Sequence, residues 1–360
     1  MKLYEHGGNV YEPCAGEWLD FSANINPLGL PEEVREAVVN ALDHLVHYPD
    51  SKAGALKDAL SEHYQVPAEQ MVLGNGAAEL IYLVCYQLRP RRVLLLSPTF
   101  SEYEKAARAA EADIVYHDLS AEDNFALDEI SFIEKLDDVD IAVLANPNNP
   151  TGNLIEKEVL LRILEAAEEK GVYLMVDESF LDFLPTPEMY SMRSRCSSHS
   201  RLIILQSMTK FYAIPGLRLG FGVFSEALAA RLEQGKDVWN VNHLAQVAGV
   251  AAVRARGYQE ATRRWLKDAA GEFQRDLSEL QGLYVYPSAV NFLLLRIEEE
   301  ESPTSAGGLL RKLKEQGILL RDCSNYRGLD ERFLRTAVRS SEENHRLLQA
   351  IGTIWREEQK

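Results

Sequence analysis

The sequence of 360 residues contains only four cysteines, and no two of them stand close together in the chain. They are Cys14, Cys85, Cys196 and Cys323. Because no CxxC pair occurs, the spacing predicts neither a zinc site nor a disulfide framework. We therefore expect a protein that holds no metal and works in a reducing cytoplasm.

Basic residues are outnumbered by acidic ones. The chain has 38 lysines and arginines against 55 aspartates and glutamates, a formal net charge of -17 at pH 7. Attraction to nucleic-acid phosphates needs a basic surface, so this balance argues against nonspecific nucleic-acid binding. A small anionic substrate stays open, because a few local arginines can override the net field.

The chain lacks an uninterrupted apolar run of membrane-spanning length. The N-terminal stretch MKLYEHGGNVYEP has no apolar core of the kind that signal peptides carry. We therefore expect a soluble, untargeted protein with no membrane partner.

What the chain does contain is a regular alternation of apolar, β-branched runs and amphipathic helical patterns. The runs are QMVLGNG (70–76), RVLLLSP (92–98), DIVYHDL (113–119), DIAVLANP (140–147), VYLMVDES (172–179), RLIILQS (201–207) and GFGVF (220–224). This alternation predicts an α/β protein with a mainly parallel seven-stranded sheet, covered by helices on both faces. Ligands bind beyond the carboxyl ends of such strands, so the residues that follow each strand are site candidates.

The C-terminal third has a different pattern. LYVYPSAVNFLLLRI (283–297) is typical of paired strands, and a charged loop and a helical pattern follow it. These features predict a small α+β domain that the N-terminal segment joins. We assign residues 36–260 to a large domain, and residues 1–35 and 261–360 to the small one.

Two strand ends carry an anion cradle and an aromatic side chain. Gly76, Ala77 and Ala78 open a helix, where small residues let backbone N–H groups point at an anion. An ordinary glycine-containing turn is an equal explanation. Phe100 follows the next strand and could stack on a flat ring, although taken alone it also fits a core position.

The next two strand ends carry an amide and a carboxylate. Asn149 lies in NPNNPTG (146–152), where two prolines fix the orientation of the turn and its amides. Asp177 ends a buried strand, and an unpaired buried charge is costly. An ion pair with a ligand nitrogen explains it, and so does a solvated strand end.

The last strand end carries a lysine. Lys210 follows Ser207 and Thr209, and Arg218 comes eight residues later. Pyridoxal 5'-phosphate needs a lysine to join its aldehyde, an acid to keep its ring nitrogen protonated, and fixed contacts for ring and phosphate. Each strand end has an ordinary explanation, but the set in this order favours that cofactor, with Lys210, Asp177 and Asn149 as catalytic residues.

Four motifs carry a family resemblance over essentially the whole chain: NPNNPTG, D-E-x-F at 177–180, S-x-T-K at 207–210 and P-G-x-R-x-G at 215–220. With them the chain resembles the fold-type I aminotransferase superfamily. The resemblance implies the pyridoxal phosphate fold, with a large and a small domain. Tyr48, in HYPDSKAG, matches the tyrosine that reaches the cofactor phosphate of the neighbouring subunit, which implies a homodimer with shared active sites.

Within that superfamily the chain is similar to the histidinol-phosphate aminotransferase branch, and there to its L-threonine-O-3-phosphate decarboxylases. Four stretches carry the finer likeness: HGGN (6–9), DFSANINPLG (20–29), LRDCSNYRGL (320–329) and FLRTAVRSSEEN (333–344). The chain has Asn24-Ile25-Asn26-Pro27 where the aminotransferases usually have N-E-N-P. It also has Phe180 where they usually have tyrosine, which leaves the cofactor's ring oxygen to Asn149.

The resemblance also implies the substrate contacts. Arg335 matches the carboxylate-binding arginine, and Arg321 and His6 match contacts to a substrate phosphate. Asn24 is a further positioning candidate. Arg339 is a weaker one, because a surface salt bridge explains it equally well. The expected partner is therefore a small phosphorylated amino acid.

The reaction that the resemblance implies is decarboxylation of L-threonine O-3-phosphate to (R)-1-amino-2-propanol O-2-phosphate, a precursor in cobalamin biosynthesis. Lys210 is then the expected proton donor to the substrate Cα. A transaminase acting on histidinol phosphate or an aromatic amino acid is the first alternative, since it uses the same cofactor residues. A catalytically silent regulator is the second, and the intact lysine, aspartate and arginine argue against it.

Overall fold

The large sheet carries the strands whose ends hold the predicted cofactor residues. The structure is a computed structural model that describes residues 6–14, 16–298 and 300–358. Its strands are β1 (Leu19–Asp20), β2 (Met71–Gly74), β3 (Arg92–Ser97), β4 (Asp113–Asp118), β5 (Ile141–Ala145), β6 (Tyr173–Asp177), β7 (Leu202–Ser207), β8 (Gly220–Val223), β9 (Leu283–Val285), β10 (Phe292–Ile297), β11 (Ile318–Leu319), β12 (Arg321–Asp322) and β13 (Phe333–Ala337).

Seven strands form the large sheet in the order β2-β8-β7-β6-β5-β3-β4. Strand β8 pairs antiparallel with both β2 and β7, and the other pairings in this sheet are parallel. All seven predicted strands are present, so the prediction of a mainly parallel seven-stranded sheet is confirmed. The parallel strands β3, β5, β6 and β7 therefore end at one edge, where the chain turns toward the candidate site.

The apolar runs form strands because both faces of this sheet are covered. In β3, Leu94 and Leu96 pack into one buried cluster, while Val93 and Leu95 pack into a second cluster on the other face. Such two-sided burial requires nearly continuous apolar runs, because successive side chains point to opposite faces.

Helices cover both faces. They are α1 (Glu32–Asn40), α2 (Gly54–Tyr64), α3 (Ala77–Leu88), α4 (Glu102–Ala109), α5 (Glu129–Glu134), α6 (Lys157–Glu169), α7 (Pro187–Tyr190), α8 (Glu226–Gly235), α9 (His243–Arg254), α10 (Arg256–Ser278), α11 (Ala306–Glu315) and α12 (Ser341–Glu358). Side chains of α3, α4 and α8 share the cluster of Val93. Side chains of α2, α6 and α9 share the cluster of Leu94.

Single 3₁₀ turns lie between these elements, at Leu42–Val46, Ala68–Gln70, Lys135–Asp138, Leu181–Phe183, Arg193–Arg195 and Pro215–Leu217. The last of them follows Lys210 and leads into Arg218. None of the helices in the described part of the chain combines the length and the apolar character needed to cross a bilayer.

The C-terminal part holds a four-stranded antiparallel sheet in the order β12-β13-β10-β9. The predicted paired strands at 283–297 are β9 and β10, which pair antiparallel. Strand β1 of the N-terminal segment pairs in parallel with β11. In the sheet, Arg321 on β12 stands directly opposite Arg335 on β13.

The predicted domain limits stay a prediction. The limit at 35/36 falls inside α1, and the limit at 260/261 falls inside α10. The predicted small domain also includes residues 1–5, 15, 299, 359 and 360, which lie outside the described residues. One buried apolar cluster contains both Leu144 of the large sheet and Leu294 of the small one.

Candidate active site

The strand ends and the small sheet enclose a cavity of about 290 Å³. It is lined by His6, Gly7, Ser22, Ala23, Asn24, Ile25, Ala77, Ala78, Ile81, Phe100, Asn149, Asp177, Phe180, Ser207, Thr209, Lys210, Pro215, Arg218, Arg321, Tyr326 and Arg335. Most of the predicted site residues are therefore brought together here. The exceptions, Gly76, Tyr48 and Arg339, are described below.

Lys210 lies just beyond the end of β7 and is half-buried at the cavity wall. Its Nζ donates a hydrogen bond to Ser207 Oγ at 3.0 Å, and the Ser207 and Thr209 hydroxyls are 2.8 Å apart. Burial lowers the pKa of Lys210 to about 8, partly opposed by the negative charge of Asp177. At pH 7 about one lysine in ten is then a neutral amine, the form that attacks an aldehyde.

Asp177 is the last residue of β6 and is buried at the cavity wall. Its Oδ2 accepts a hydrogen bond from the Tyr103 hydroxyl at 2.6 Å, and its Oδ1 accepts one from the Ser179 backbone N–H at 2.9 Å. A carboxylate has about four lone-pair positions, so these two bonds leave capacity for a further donor. Two hydrogen bonds thus fix the orientation of the Asp177 carboxylate, which lies near Lys210.

The first turn of α3 forms the anion cradle. Its N-cap is Gly76, at a φ of +82°, and no side chain caps the helix there. A Cβ on Gly76 would collide with the Arg218 guanidinium, so only glycine lets this cation approach the helix start. Gly76 does not line the cavity itself, but Ala77, Ala78 and Arg218 do.

Asn149 is oriented by Arg335, whose Nη1 donates to its Oδ1. Because the oxygen accepts this bond, the amide NH₂ of Asn149 is the part left to donate to a ligand oxygen. Phe180 lies on the same wall, and Lys210 Nζ stands 5.4 Å from its ring centroid. A phenylalanine at this position offers the lysine a ring face and no hydroxyl.

Arg321 and Arg335 place two guanidinium groups side by side on the cavity wall. They stand directly opposite each other on β12 and β13, and they are only 7% and 5% exposed. Arg335 Nη2 donates to the Ser22 carbonyl at 2.8 Å, and Arg321 Nη2 donates to Asn325 Oδ1 at 2.8 Å. No ion pair in the described residues includes Arg335, and its Nε is buried without a hydrogen-bond partner there.

His6 reaches the cavity from the N-terminal segment. Its Nε2 lies 3.1 Å from Glu102 Oε1, and its ring centroid is 5.6 Å from that of Phe100. Gly7 lies so close to the Ser22 carbonyl that a Cβ on Gly7 would collide with it. The glycine therefore lets this segment lie flat against residues 20–24.

Asn24 is buried in the cavity wall. Its side-chain oxygen Oδ1 has no hydrogen-bond partner in the described part of the structure. Its backbone carbonyl accepts a bond from Asn291 Nδ2 at 3.1 Å, which fixes the segment. An unsatisfied buried acceptor at a cavity wall is the group that a ligand donor would satisfy.

Besides Gly76, two predicted site residues lie outside the cavity. Arg339 Nη2 donates to Glu343 Oε1 at 2.7 Å, and its Nη1 donates to the Asp20 carbonyl at 3.1 Å. The salt-bridge alternative for Arg339 therefore describes its contacts, and the structure does not bring it to the substrate candidates. Tyr48 is 76% exposed, and its ring stacks on Trp239 with the centroids 4.2 Å apart.

Sequence reasoning missed three residues that support the site: Tyr103, which holds Asp177, Glu102, which holds His6, and Ser22, whose carbonyl accepts from Arg335. Tyr103 had a usable signal. It stands three residues after Phe100 at a helix start, so the two side chains share one face. The contact of Glu102 with His6 spans 96 residues and had no such signal.

The chain belongs to the class I and II aminotransferase family, whose model matches residues 16–351. Proteins of this family use pyridoxal 5'-phosphate, and two observations of the structure test the fit. The uncapped helix start at Gly76, with Arg218 packed where a Cβ would lie, suits the phosphate. The held carboxylate of Asp177, beside the buried amine of Lys210, suits the ring nitrogen and the aldehyde.

Three known proteins illustrate the likeness. The threonine-phosphate decarboxylase of Salmonella typhimurium is 40% identical over 97% of this chain and 96% of its own. An adenosylcobalamin biosynthesis bifunctional protein of Leptospira interrogans is 34% identical over 99% of this chain and 41% of its own. The solved histidinol-phosphate aminotransferase of Clostridium acetobutylicum is 32% identical, with a TM-score of 0.87 over 94% of this chain and 99% of its own.

The last comparison separates fold from activity. An aminotransferase shares this backbone closely, so the fold itself does not distinguish a decarboxylase from an aminotransferase. The site residues must carry that distinction.

Proposed function

We propose that this protein decarboxylates L-threonine O-3-phosphate to (R)-1-amino-2-propanol O-2-phosphate, in cobalamin biosynthesis. The activity of the Salmonella relative and the pathway of the Leptospira relative support this assignment. The alternative is an aminotransferase of the histidinol-phosphate type, which the Clostridium structure exemplifies.

One observation carries the proposal: Arg321 and Arg335, which are paired across the neighbouring strands β12 and β13, both line the same cavity and are both buried. Like charges directly opposite on paired strands destabilise a sheet. Bound anions offset that repulsion, and the planar fork of arginine suits both carboxylate and phosphate. A substrate with one carboxylate and one phosphate supplies two anions.

His6 extends the arginine pair toward the outside of the cavity. It lines the cavity together with Arg321, and it also lines an adjoining polar pocket that opens beside α11. We therefore assign the substrate phosphate to His6 and Arg321, and the substrate carboxylate to Arg335. Asn24, whose Oδ1 has no partner among the described residues, is assigned to the substrate amine.

When bound, pyridoxal phosphate accepts the electron pair of whichever substrate Cα bond stands perpendicular to its ring. The task of this chain is to orient the substrate so that the bond to the carboxylate stands there. Arg335 holds one end of the substrate, while Arg321 and His6 hold the other. Two separate anchors fix the rotation about the bond between the substrate nitrogen and Cα. A single anchor would leave this rotation free.

The other assigned roles belong to the strand ends. With the cofactor bound, Asp177 would keep its ring nitrogen charged, and Asn149 would donate to its ring oxygen. The phosphate is assigned to Ala77, Ala78, Ser207, Thr209 and Arg218, and the ring plane to Phe100. We assign to Lys210 Nζ the proton that the substrate Cα would receive, because a pKa of about 8 lets this amine carry a proton near neutral pH.

The deciding experiment incubates the purified holoenzyme with O-phospho-L-threonine, with and without a 2-oxoacid. We expect one CO₂ per substrate consumed, at a rate independent of the oxoacid. Consumption of oxoacid without CO₂ would replace the proposal by the aminotransferase alternative. L-threonine is the matched control substrate, and we expect its kcat/KM to be lower by about 10³-fold or more, because Arg321 and His6 are left without their anion.

We further propose a homodimer with shared active sites. Several large apolar side chains around Tyr48 are exposed in the single chain: Val39, Leu42, Leu45, Val46, Val238 and Trp239. Tyr48 itself does not line the cavity of its own chain, which supports its assignment to a neighbouring one.

Subunit mixing tests this dimer. The Lys210→Ala and Tyr48→Ala variants are each expected to have little activity, and their mixture should regain up to about a quarter of wild-type activity through heterodimers with one intact site. A monomer by light scattering, or no recovery of activity on mixing, would reject the shared site.

The cytoplasmic location also stays a proposal, which cell fractionation tests. All four cysteines are free in the structure.

A further inference from the structure

A fully buried phenol contacts the carboxylate that the proposed mechanism depends on. Tyr103 lies in the first turn of α4, is 2% exposed, and does not line the cavity. Its hydroxyl donates to Asp177 Oδ2 at 2.6 Å. This distance is typical of a hydrogen bond from a hydroxyl to an ionised oxygen, which is stronger than a bond between neutral groups.

The bond crosses the sheet. Tyr103 follows β3 and Asp177 ends β6, and β5 lies between these strands. The β5 residue directly opposite Asp177 is Ala145, which packs in the same buried cluster as Tyr103. A small side chain at that position leaves room for the phenol to reach over β5.

The phenol remains a donor over the working range of pH. Burial, and next the negative charge of Asp177, hold the pKa of Tyr103 well above its usual value. Its ring also meets Phe100 edge to face, with centroids 5.6 Å apart. One turn of chain thus carries both the aromatic ring assigned to the cofactor plane and the donor that fixes the carboxylate.

We propose that Tyr103 is a positioning residue for the cofactor: its hydroxyl fixes the Asp177 carboxylate so that the remaining lone pairs face the cofactor's ring nitrogen. Ser179 N–H fixes the other oxygen, so neither carboxylate oxygen is free to turn away. The inference rests on the assignment of Asp177 in the proposed function. It does not depend on which substrate the enzyme takes.

The test compares Tyr103→Phe with Tyr286→Phe. Tyr286 is the matched control, because it is fully buried and its hydroxyl has no hydrogen-bond partner in the described residues. Cofactor binding is titrated on the apoprotein. The visible absorbance band of the bound cofactor reports protonation of its link to Lys210, which in turn depends on the charge of the ring nitrogen. We expect Tyr103→Phe to raise the Kd for pyridoxal phosphate about tenfold and to change the band, and Tyr286→Phe to do neither.

A double-mutant cycle separates positioning from general packing. If Tyr103 acts through Asp177, then Tyr103→Phe should change cofactor affinity by less than about twofold in an Asp177→Asn background. An equal loss in both backgrounds, or wild-type affinity and an unchanged band in Tyr103→Phe, would overturn the proposal. Because these readouts need no substrate, they hold or fail independently of the decarboxylation assay.

If the phenylalanine variant does not fold, 3-fluorotyrosine incorporated at position 103 keeps the size of the side chain and makes its hydroxyl more acidic. The proposal expects the cofactor band to change with this substitution. An unchanged band would overturn it.

Discussion

The cavity has two halves that the chain builds in different ways. The cofactor half consists of Ala77, Ala78, Asp177, Ser207, Thr209, Lys210 and Arg218, and the substrate half consists of His6, Asn24, Arg321 and Arg335. Residues of the cofactor half follow strands of one sheet. Residues of the substrate half come from the N-terminal segment and from the small sheet, about 300 residues apart in the chain.

This difference predicts which property of the enzyme a substitution in each half should alter. A change in the cofactor half alters the chemistry itself, so it should affect every substrate. A change in the substrate half alters the hold on two anions, so it should affect the phosphorylated substrate and leave the cofactor in place. Four variants test this division, beginning with the largest effect.

The Lys210→Ala variant breaks the cofactor half. We expect decarboxylation to fall by about 10³-fold or more, because the variant has no amine to join the cofactor or to move the proton. CO₂ release from O-phospho-L-threonine measures the loss, and circular dichroism verifies that the fold is intact. Activity within tenfold of wild type would refute the assigned role.

The Arg335→Ala variant breaks the substrate half. We expect kcat/KM to fall by about 10²- to 10³-fold with the cofactor still bound, because a buried charged contact to the substrate is lost. Arg339→Ala is the matched control: Arg339 is paired with Glu343 outside the cavity, so its loss should change kcat/KM by less than about threefold. Equal losses in the two variants would contradict the division.

The buried lysine also predicts a pH dependence of stability in the cofactor-free protein. Burial lowers the pKa of Lys210 from its ordinary value of 10.5 to about 8. Between these values the unfolded chain binds more protons than the folded one, so the free energy of unfolding rises with pH in this window. The full effect is about 3 kcal/mol.

Denaturant unfolding of the apoprotein and of Lys210→Met isolates this contribution. Below pH 8 the methionine variant should be the more stable protein by up to about 3 kcal/mol, and the gap should close as the pH rises toward 10.5. A stability difference between the two proteins that does not change with pH would show that the pKa of Lys210 is not lowered in the folded apoprotein.

The smallest expected effect comes from Glu102→Gln. Glu102 lies 3.1 Å from His6, whose side chain is 43% exposed, and contacts that are partly open to water contribute little. We expect KM for O-phospho-L-threonine to rise about two- to fivefold, with an unchanged kcat and an unchanged cofactor band. A change in the band would place Glu102 in the cofactor half.

Much of the cofactor half was predictable from the sequence because it depends on local order. Apolar runs and helical patterns predict the strands, and parallel strands end at one edge, so Asp177, Ser207 and Lys210 had to come together. The family motifs then related each position to the cofactor. The hydroxyl of Tyr103 was not predicted, because its bond spans 74 residues and crosses an intervening strand.

The substrate half was predictable only by resemblance. Arg321, Arg335 and Arg339 all lie in polar-apolar stretches near the end of the chain, and no spacing separates a cavity arginine from a surface one. Packing separates them: β12 and β13 place the first two in direct register at the cavity, whereas Arg339 follows β13 and pairs with Glu343 on α12.

The sequence by itself determined the sheet, the identity of the residues at its strand ends and the family to which the chain belongs. These follow from hydrophobic periodicity and from short motifs, which depend on neighbours within a few residues. Only the tertiary structure decided that Tyr103 holds Asp177, that Glu102 holds His6, and that Arg321 and Arg335 share one wall while Arg339 does not. Those contacts depend on how distant segments pack, and local periodicity carries no record of that.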